Sequence, residues 1–402
     1  MSWLQVWSDI SVHAAGFFWK AGWAFVLGYA ISGMIQAFVP KARLARRLGT
    51  ASPASVCWAT LFGAASSSCS FAALAAARSL VLKGAHLVAA LAFLFASTNL
   101  VIELGVLIVI FLGGRFLAAE LLGGLVLIAT STALFALVCP TAWQRAARAK
   151  VERESAPEPE DFDWRERIRS REGWQRVGRR FVGDWKMVWE EIVIGFTVAG
   201  ILAALVPASV WEWVFLARES ELPSWLVVLE NAAVAPLVAA ATFIGSMGNI
   251  PLATVLHSNG VAFAGVMGFI YSDLMVPPLV SIQAKYYGWR LALTMAGVMW
   301  VSIVVTTILL HGAFGALGIT PDSGRTLDHV TRFALDYTAW LNFAMIGVTI
   351  VLIRAHRAHV ASGRPEGAGH THGSHGPGPK RWIVWGCLAI VLGGLVVRAF
   401  GF

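Results

Sequence analysis

The sequence predicts an all-α polytopic membrane protein: two inverted-topology repeats with broken or re-entrant helices and about 8–10 transmembrane segments. Three observations predict it. Of the 402 residues, 57% are hydrophobic and 13% charged, and the mean hydropathy is +0.68. A soluble domain is about 45–50% apolar and about 25% charged. Apolar runs of about 18 residues or more recur, each enough to cross a hydrocarbon core of ~30 Å. Two of those runs are interrupted by small polar residues and glycine, at matching places in the two halves of the chain.

The elements follow in order. Apolar spans are expected near 17–39, 55–77, 84–113 and 116–138. A polar segment, 141–186, then carries 12 Lys/Arg against 9 Asp/Glu. Further spans are expected near 187–206, 225–243, 260–283 and 289–311, and a last pair near 332–353 and 382–397. This divides the chain into a first repeat (1–140), a charged cytoplasmic linker (141–186), a second repeat (187–314) and a C-terminal helix pair (315–402) with a His/Gly-rich loop, 355–379. No short apolar segment with a small-residue cleavage site precedes the first span, so no removable signal peptide is expected. The four cysteines, Cys57, Cys69, Cys139 and Cys387, form no C-x-x-C pair, so no disulfide framework or structural zinc site is expected.

The interruptions are Ser66-Ser67-Ser68-Cys69-Ser70 and Gly245-Ser246-Met247-Gly248-Asn249-Ile250-Pro251. Gly245, Gly248 and Pro251 are expected to break a helix, with small polar side chains satisfying the freed backbone. They belong to a repeat. Gly28-x4-Gly33-x6-Pro40 matches Gly195-x4-Gly200-x6-Pro207, and Gly84 with Phe93 matches Gly260 with Phe269 at an offset of 176 (84 to 260). At that offset Cys69-Ser70-Phe71 falls on Gly245-Ser246-Met247, and Ser97 on Asp273. Charge gives the orientation. Lys41, Arg43, Arg46 and Arg47 follow Pro40 with no acid, whereas Glu212, Arg218, Glu219 and Glu221 follow Pro207. Basic loops face the cytoplasm, so the repeats come out inverted and both termini external. Membrane parity then requires either a re-entrant hairpin at 66–70 or a break of the 84–113 run near Thr98-Asn99.

At the broken motifs the chain resembles a known group, the YraQ-like predicted permeases related to the organoarsenical efflux permease. The group's pattern is C-S-C-G-x-I-P followed by a K-G turn. Here the first copy reads Cys69-Ser70-Phe71-Ala72-Ala73-Leu74-Ala75, then Lys83-Gly84; the second reads Gly245-Ser246-Met247-Gly248-Asn249-Ile250-Pro251, then Asn259-Gly260. The resemblance covers roughly 16–314 and implies transport of a small solute. The pattern's second cysteine is Phe71 here, so the paired sulfurs that chelate a soft metalloid are not reproduced.

The residues expected to bind substrate or ion follow from the cost of polarity in lipid. Asp273 lies between apolar residues, where a carboxylate costs about 2.5–3.5 kcal/mol on insertion scales, so binding a cation or relaying a proton is expected of it. The plainer reading is a helix cap at a span end. Ser97, Thr98 and Asn99 form its repeat counterpart, and Glu103 would share a helix face with Asn99 at i, i+4; the plainer reading is local bonding to carbonyls in a kinked helix. Ser66, Ser67, Ser68, Cys69 and Ser70 offer hydroxyls and a thiol at a helix break, though small residues also serve plain packing. Asn249 lies in the matching break, and Glu230-Asn231 is a secondary candidate. His370, His372 and His375 form a weak metal-binding cluster in the glycine-rich loop.

No Walker A, H-E-x-x-H or G-x-S-x-G motif occurs, so neither an enzyme nor a nucleotide-driven pump is expected, and no cofactor. The partners expected are a small-molecule or ion substrate and the bilayer of a bacterial inner membrane; nucleic acid is not expected, and a homo-oligomer is left open. The reading is a permease, a secondary transporter with its site at the interface of the repeats. The alternatives are metal, metalloid or thiol-conjugate efflux through Cys69 and the histidines, and a membrane scaffold or assembly factor.

Overall fold

The computed structural model describes residues 3–38, 47–66, 70–153, 164–216, 223–242, 246–321, 337–361 and 379–400. In chain order the helices are α1 Trp3–Phe38, α2 Pro53–Ser66, α3 Ser70–Leu82, α4 Leu87–Asn99, α5 Ile102–Phe111, α6 Gly114–Val138, α7 Thr141–Arg153, α8 Trp164–Arg169 and α9 Arg171–Leu205. They continue as α10 Ala208–Val214, α11 Ser224–Thr242, α12 Ser246–Ser258 and α13 Phe263–Tyr271; a 3-10 turn Ser272–Met275; then α14 Pro277–Tyr287, α15 Trp289–Ala316, α16 Tyr337–Ala361 and α17 Pro379–Ala399. No strand occurs among the described residues. Among them, eight helices are long and apolar enough to cross a membrane, and Phe263–Met275 with Pro277–Tyr287 forms a bent pair, a broken span or a re-entrant loop. The protein is an all-α, multi-pass membrane protein.

The helix bounds repeat. Both α3 and α12 span 13 residues, offset by 176 (70 to 246). The 13 residues of α4 recur at the same offset as α13 plus the 3-10 turn, 87–99 on 263–275. Glycines close the equivalent turns: Gly84 and Gly260 have φ of +100° and +86°, and Gly113 and Gly288, before α6 and α15, have +100° and +93°. That left-handed region is open to glycine at no steric cost. The α9 helix ends 167 residues after α1, 38 to 205.

The chain forms two compact units, Met1–Phe38 with Asp163–Val206 and Leu327–Phe402, and Val39–Phe162 with Pro207–Thr326. The first groups α1, α9, α16 and α17. Small residues let these helices close: a Cβ on Gly200 would lie 2.7 Å from the Ile10 carbonyl, and one on Gly33 3.2 Å from that of Val177. Polar side chains bond across helices there. Trp7 Nε1 donates to the Ile390 carbonyl at 2.8 Å, and Asn342 Nδ2 to that of Trp19 at 2.8 Å.

The second unit holds the inner helices of both repeats. Every residue of α4 and of α13 is buried, as expected of helices apolar on all sides. Glycine permits the packing of α2 on α4, because a Cβ at Gly63 would lie 2.5 Å from the Phe93 carbonyl and 3.1 Å from the Ser97 nitrogen.

The charged segment and the apolar span after it share one helix, α9, which runs unbroken from Arg171 to Leu205. Two expectations are corrected. Gly248 and Pro251 lie inside α12 and not at its interruption; proline is tolerated this close to the start of a helix, where few intrahelical partners are lost. Asn99 and Glu103 do not share a continuous helix face, because Leu100 leaves helical geometry and Val101 is extended (φ −98°, ψ 147°). The helix is interrupted at Leu100-Val101, and Leu87–Phe111 counts as one candidate span. Ser67, Ser68, Cys69, Gly245, His370, His372 and His375, with the basic residues Lys41, Arg43 and Arg46, lie outside the described residues.

Candidate functional site

The site is set by a second break, between the 3-10 turn and α14. Pro277 pushes the residue before it out of helical geometry, and Val276 is extended (φ −61°, ψ 137°). The chain bends by 41° there. Asp273 is thereby placed on a tightened last turn, fully buried.

Ser70, the first residue of α3, donates its hydroxyl to Asp273 Oδ2 at 2.8 Å. The bond joins the helix start of the first repeat to the helix end of the second, 203 residues on. A hydrogen bond to an ionised carboxylate is roughly twice as strong as a neutral one.

Tyr271 anchors the turn from the other side. Its hydroxyl donates to the Ala119 carbonyl at 3.0 Å and the Glu120 carbonyl at 3.3 Å on α6. Gly123, one turn further along α6, leaves room for that hydroxyl, which an added Cβ would strike. Ser272 Oγ donates to the Phe269 carbonyl at 2.6 Å.

This docking brings in Glu120, which the sequence reading passed over. Glu120 is 1% exposed, neither of its carboxylate oxygens has a hydrogen-bond partner, and it lies within electrostatic range of Asp273. The signal was present: a lone acid in the apolar run 116–138, judged by the same cost in lipid that singled out Asp273.

The other expected residues divide. Ser97 is buried with an unpartnered hydroxyl, and Asn249 is buried with both amide atoms unpartnered. Thr98 donates to the carbonyls of Leu94 and Phe95, and Asn99 Nδ2 to that of Phe95, so both are spent on their own helix. Glu103 is buried in the first turn of α5, where the helix dipole favours an acid. Ser66 is half-buried at the end of α2. Asn231 is structural: Nδ2 donates to the Phe215 and Val227 carbonyls and Oδ1 accepts from the Ala262 N–H at 3.0 Å. Among the described residues no three His, Cys, Asp or Glu side chains converge as a metal site.

His86 positions α4. Its Nδ1 accepts from the Val88 N–H at 3.2 Å as the helix cap, and the His86 backbone N–H donates to the Leu48 carbonyl at 2.7 Å. Burial, and then the Arg148 charge, hold this imidazole below its usual 6.5, which keeps Nδ1 free to accept.

The chain is similar to known proteins. A family model described as "predicted permease" (ArsP_1) matches residues 8–312. The "Putative permease Rv2963" of Mycobacterium tuberculosis is 37% identical over 327 residues, covering 78% of this chain and 79% of that protein. No solved structure matches the chain.

Proposed function

The chain belongs to the predicted permease family, and from that premise we propose that it is a secondary transporter moving one small solute at the Ser70–Asp273 pair, in exchange for or together with a proton. The observation that carries this reading is a buried carboxylate bonded across the two repeats by a hydroxyl at a helix start. A buried charge in lipid is costly unless it is paired or neutralised. Binding a solute or a proton at Asp273 therefore changes which arrangement of the surrounding helices is favourable, and that is the requirement for coupled movement.

The two sets of helices would rock as inverted repeats around this point, as in other transporters with broken helices at mid-membrane. Asn249 and Ser97, with unmet hydrogen bonds, would supply further contacts to a polar solute. With no nucleotide-binding motif in the sequence, the driving force would be an ion or solute gradient. The basic loop after Pro40 would face the cytoplasm of the inner membrane and both termini the outside.

The test is purified protein in vesicles with a pH-sensitive dye sealed inside, challenged with oxyanions, metalloid oxides, metal ions and small thiols. One class should drive internal pH change with the intact protein and fail to do so with Asp273→Asn. Equal responses from the two proteins would refute the role of Asp273.

A further inference from the structure

We propose that Glu120 is the second seat of the coupling proton, so that Asp273 and Glu120 hold one proton between them. The proposal rests on the transporter reading above and deepens it. The geometry that supports it begins with Tyr271, whose hydroxyl grips the backbone of α6 at Ala119 and Glu120, two residues before Asp273 in its own segment. Glu120 and Asp273 are thus held on two packed helices, one anchored to the other, and both are buried.

Their surroundings differ. Ser70 donates to Asp273, whereas no donor reaches either oxygen of Glu120. Burial without donors favours the acid form of a carboxyl, and two neighbouring carboxylates cannot both hold a charge cheaply. The resting state places the negative charge on Asp273 and the proton on Glu120. Transfer breaks the O–H bond at Glu120 as one forms at Asp273, and the pair keeps a net charge of −1 throughout. A solute that displaces Ser70 from Asp273 removes that donor, so neither carboxyl then has one and the preference for the proton at Glu120 is lost.

Other titratable groups lie on the helices packed around the pair, among them Arg115 on α6, which donates to the Thr320 carbonyl. His257 on α12 packs edge-on against Phe116, and His311 on α15 lies against Phe263. Glu230 on α11 accepts from Asn231, and Arg78 on α3 lies over the Tyr286 ring of α14. Glu103 opens α5, beyond the helix break. Tyr271 is within electrostatic range of Glu120, with its proton committed to the two carbonyls.

The experiment is infrared difference spectroscopy of the full chain in vesicles, titrated in ordinary and heavy water. A protonated carboxylic acid has a carbonyl stretch that moves on deuteration. The expected result is one such band at neutral pH, lost in Glu120→Gln and retained in Asp273→Asn and in Glu120→Asp. The titration belongs to the pair, so Asp273→Asn should also move its midpoint. A band that survives in Glu120→Gln, or that disappears only in Asp273→Asn, overturns the proposal. Glu120→Asp keeps the test decisive should Glu120→Gln fail to assemble. The readout needs no transported solute. If the band behaves as expected while no solute moves in the vesicle assay, the proton pair stands and the transporter reading falls.

Discussion

The two copies of the inner helices match in length and differ in what they do with polarity. Both present a 13-residue helix, a glycine turn and a second buried 13-residue segment. At equivalent positions the first copy has Ser97 and the second Asp273. The first copy ends in side chains bonded to their own helix, Thr98 and Asn99; the second ends in a carboxylate bonded to the other copy. Their starts differ too. His86 caps α4 with its ring, while the equivalent Ala262 has no side-chain cap and gives its N–H to Asn231. The two copies share a frame of helix lengths and turns and differ at a few polar positions. The inequality points to the chemistry, because packing alone would be served by either copy.

The first unit sharpens the same lesson. It also buries an acid, Asp184, but there Gln36 Nε2 donates at 2.9 Å and Ser32 Oγ lies at 3.4 Å, side chains of α1 meeting α9. A buried acid with donors from its neighbour serves as helix–helix glue. Glu120, with none, is a different kind of residue.

Four changes would break or sharpen the comparison. The largest effect is expected from Asp273→Asn, which should lower solute-dependent proton flux at least about tenfold, ~1.4 kcal/mol, while Ser97→Ala, which removes a solute contact but no charge, should lower it less; the vesicle assay reads both. Ser70→Ala should come next. It removes a hydrogen bond to a charged group, about 1.5–3 kcal/mol, and should weaken half-saturation by the solute more than it alters expression.

Gly63→Ala forces a Cβ onto the Phe93 carbonyl, whereas Ala239 already stands at the equivalent place in the second copy. It should lower thermal stability by about 1–3 kcal/mol, measured on purified protein, and Ala239→Gly should cost less. The smallest effect is at the caps. His86→Ala should cost about 0.5–2 kcal/mol. Because His86 is held below its usual value, its contribution is full above about pH 6.5 and is lost as pH falls through the lowered value. Stability of the intact protein measured down to mildly acid pH should therefore fall more steeply than that of His86→Ala.

Much of this was legible in the sequence. Apolar run length reported most of the spans, but the expected 55–77 span is two shorter helices, and helix bounds recur at the offset of 176 seen in the sequence. Asp273 and Ser70 were both named, yet nothing linear says that residues 203 apart are bonded. That pairing is a product of tertiary packing. Glu120 was missed because it interrupts its run without glycine, proline or a neighbouring polar residue, so no helix break marks it. The long helix Arg171–Leu205 was cut at 186 because hydropathy changes there while helix propensity does not. Gly248 and Pro251 were read as breakers, although near a helix start they cost little.

The most direct measurement is solute accumulation in cells making the intact protein or Asp273→Asn, across metals, metalloids, oxyanions and small thiols, with and without a proton ionophore. One solute should change level only with the intact protein, and the ionophore should abolish the difference. Identical profiles for the two proteins across the whole panel would contradict coupled transport at Asp273.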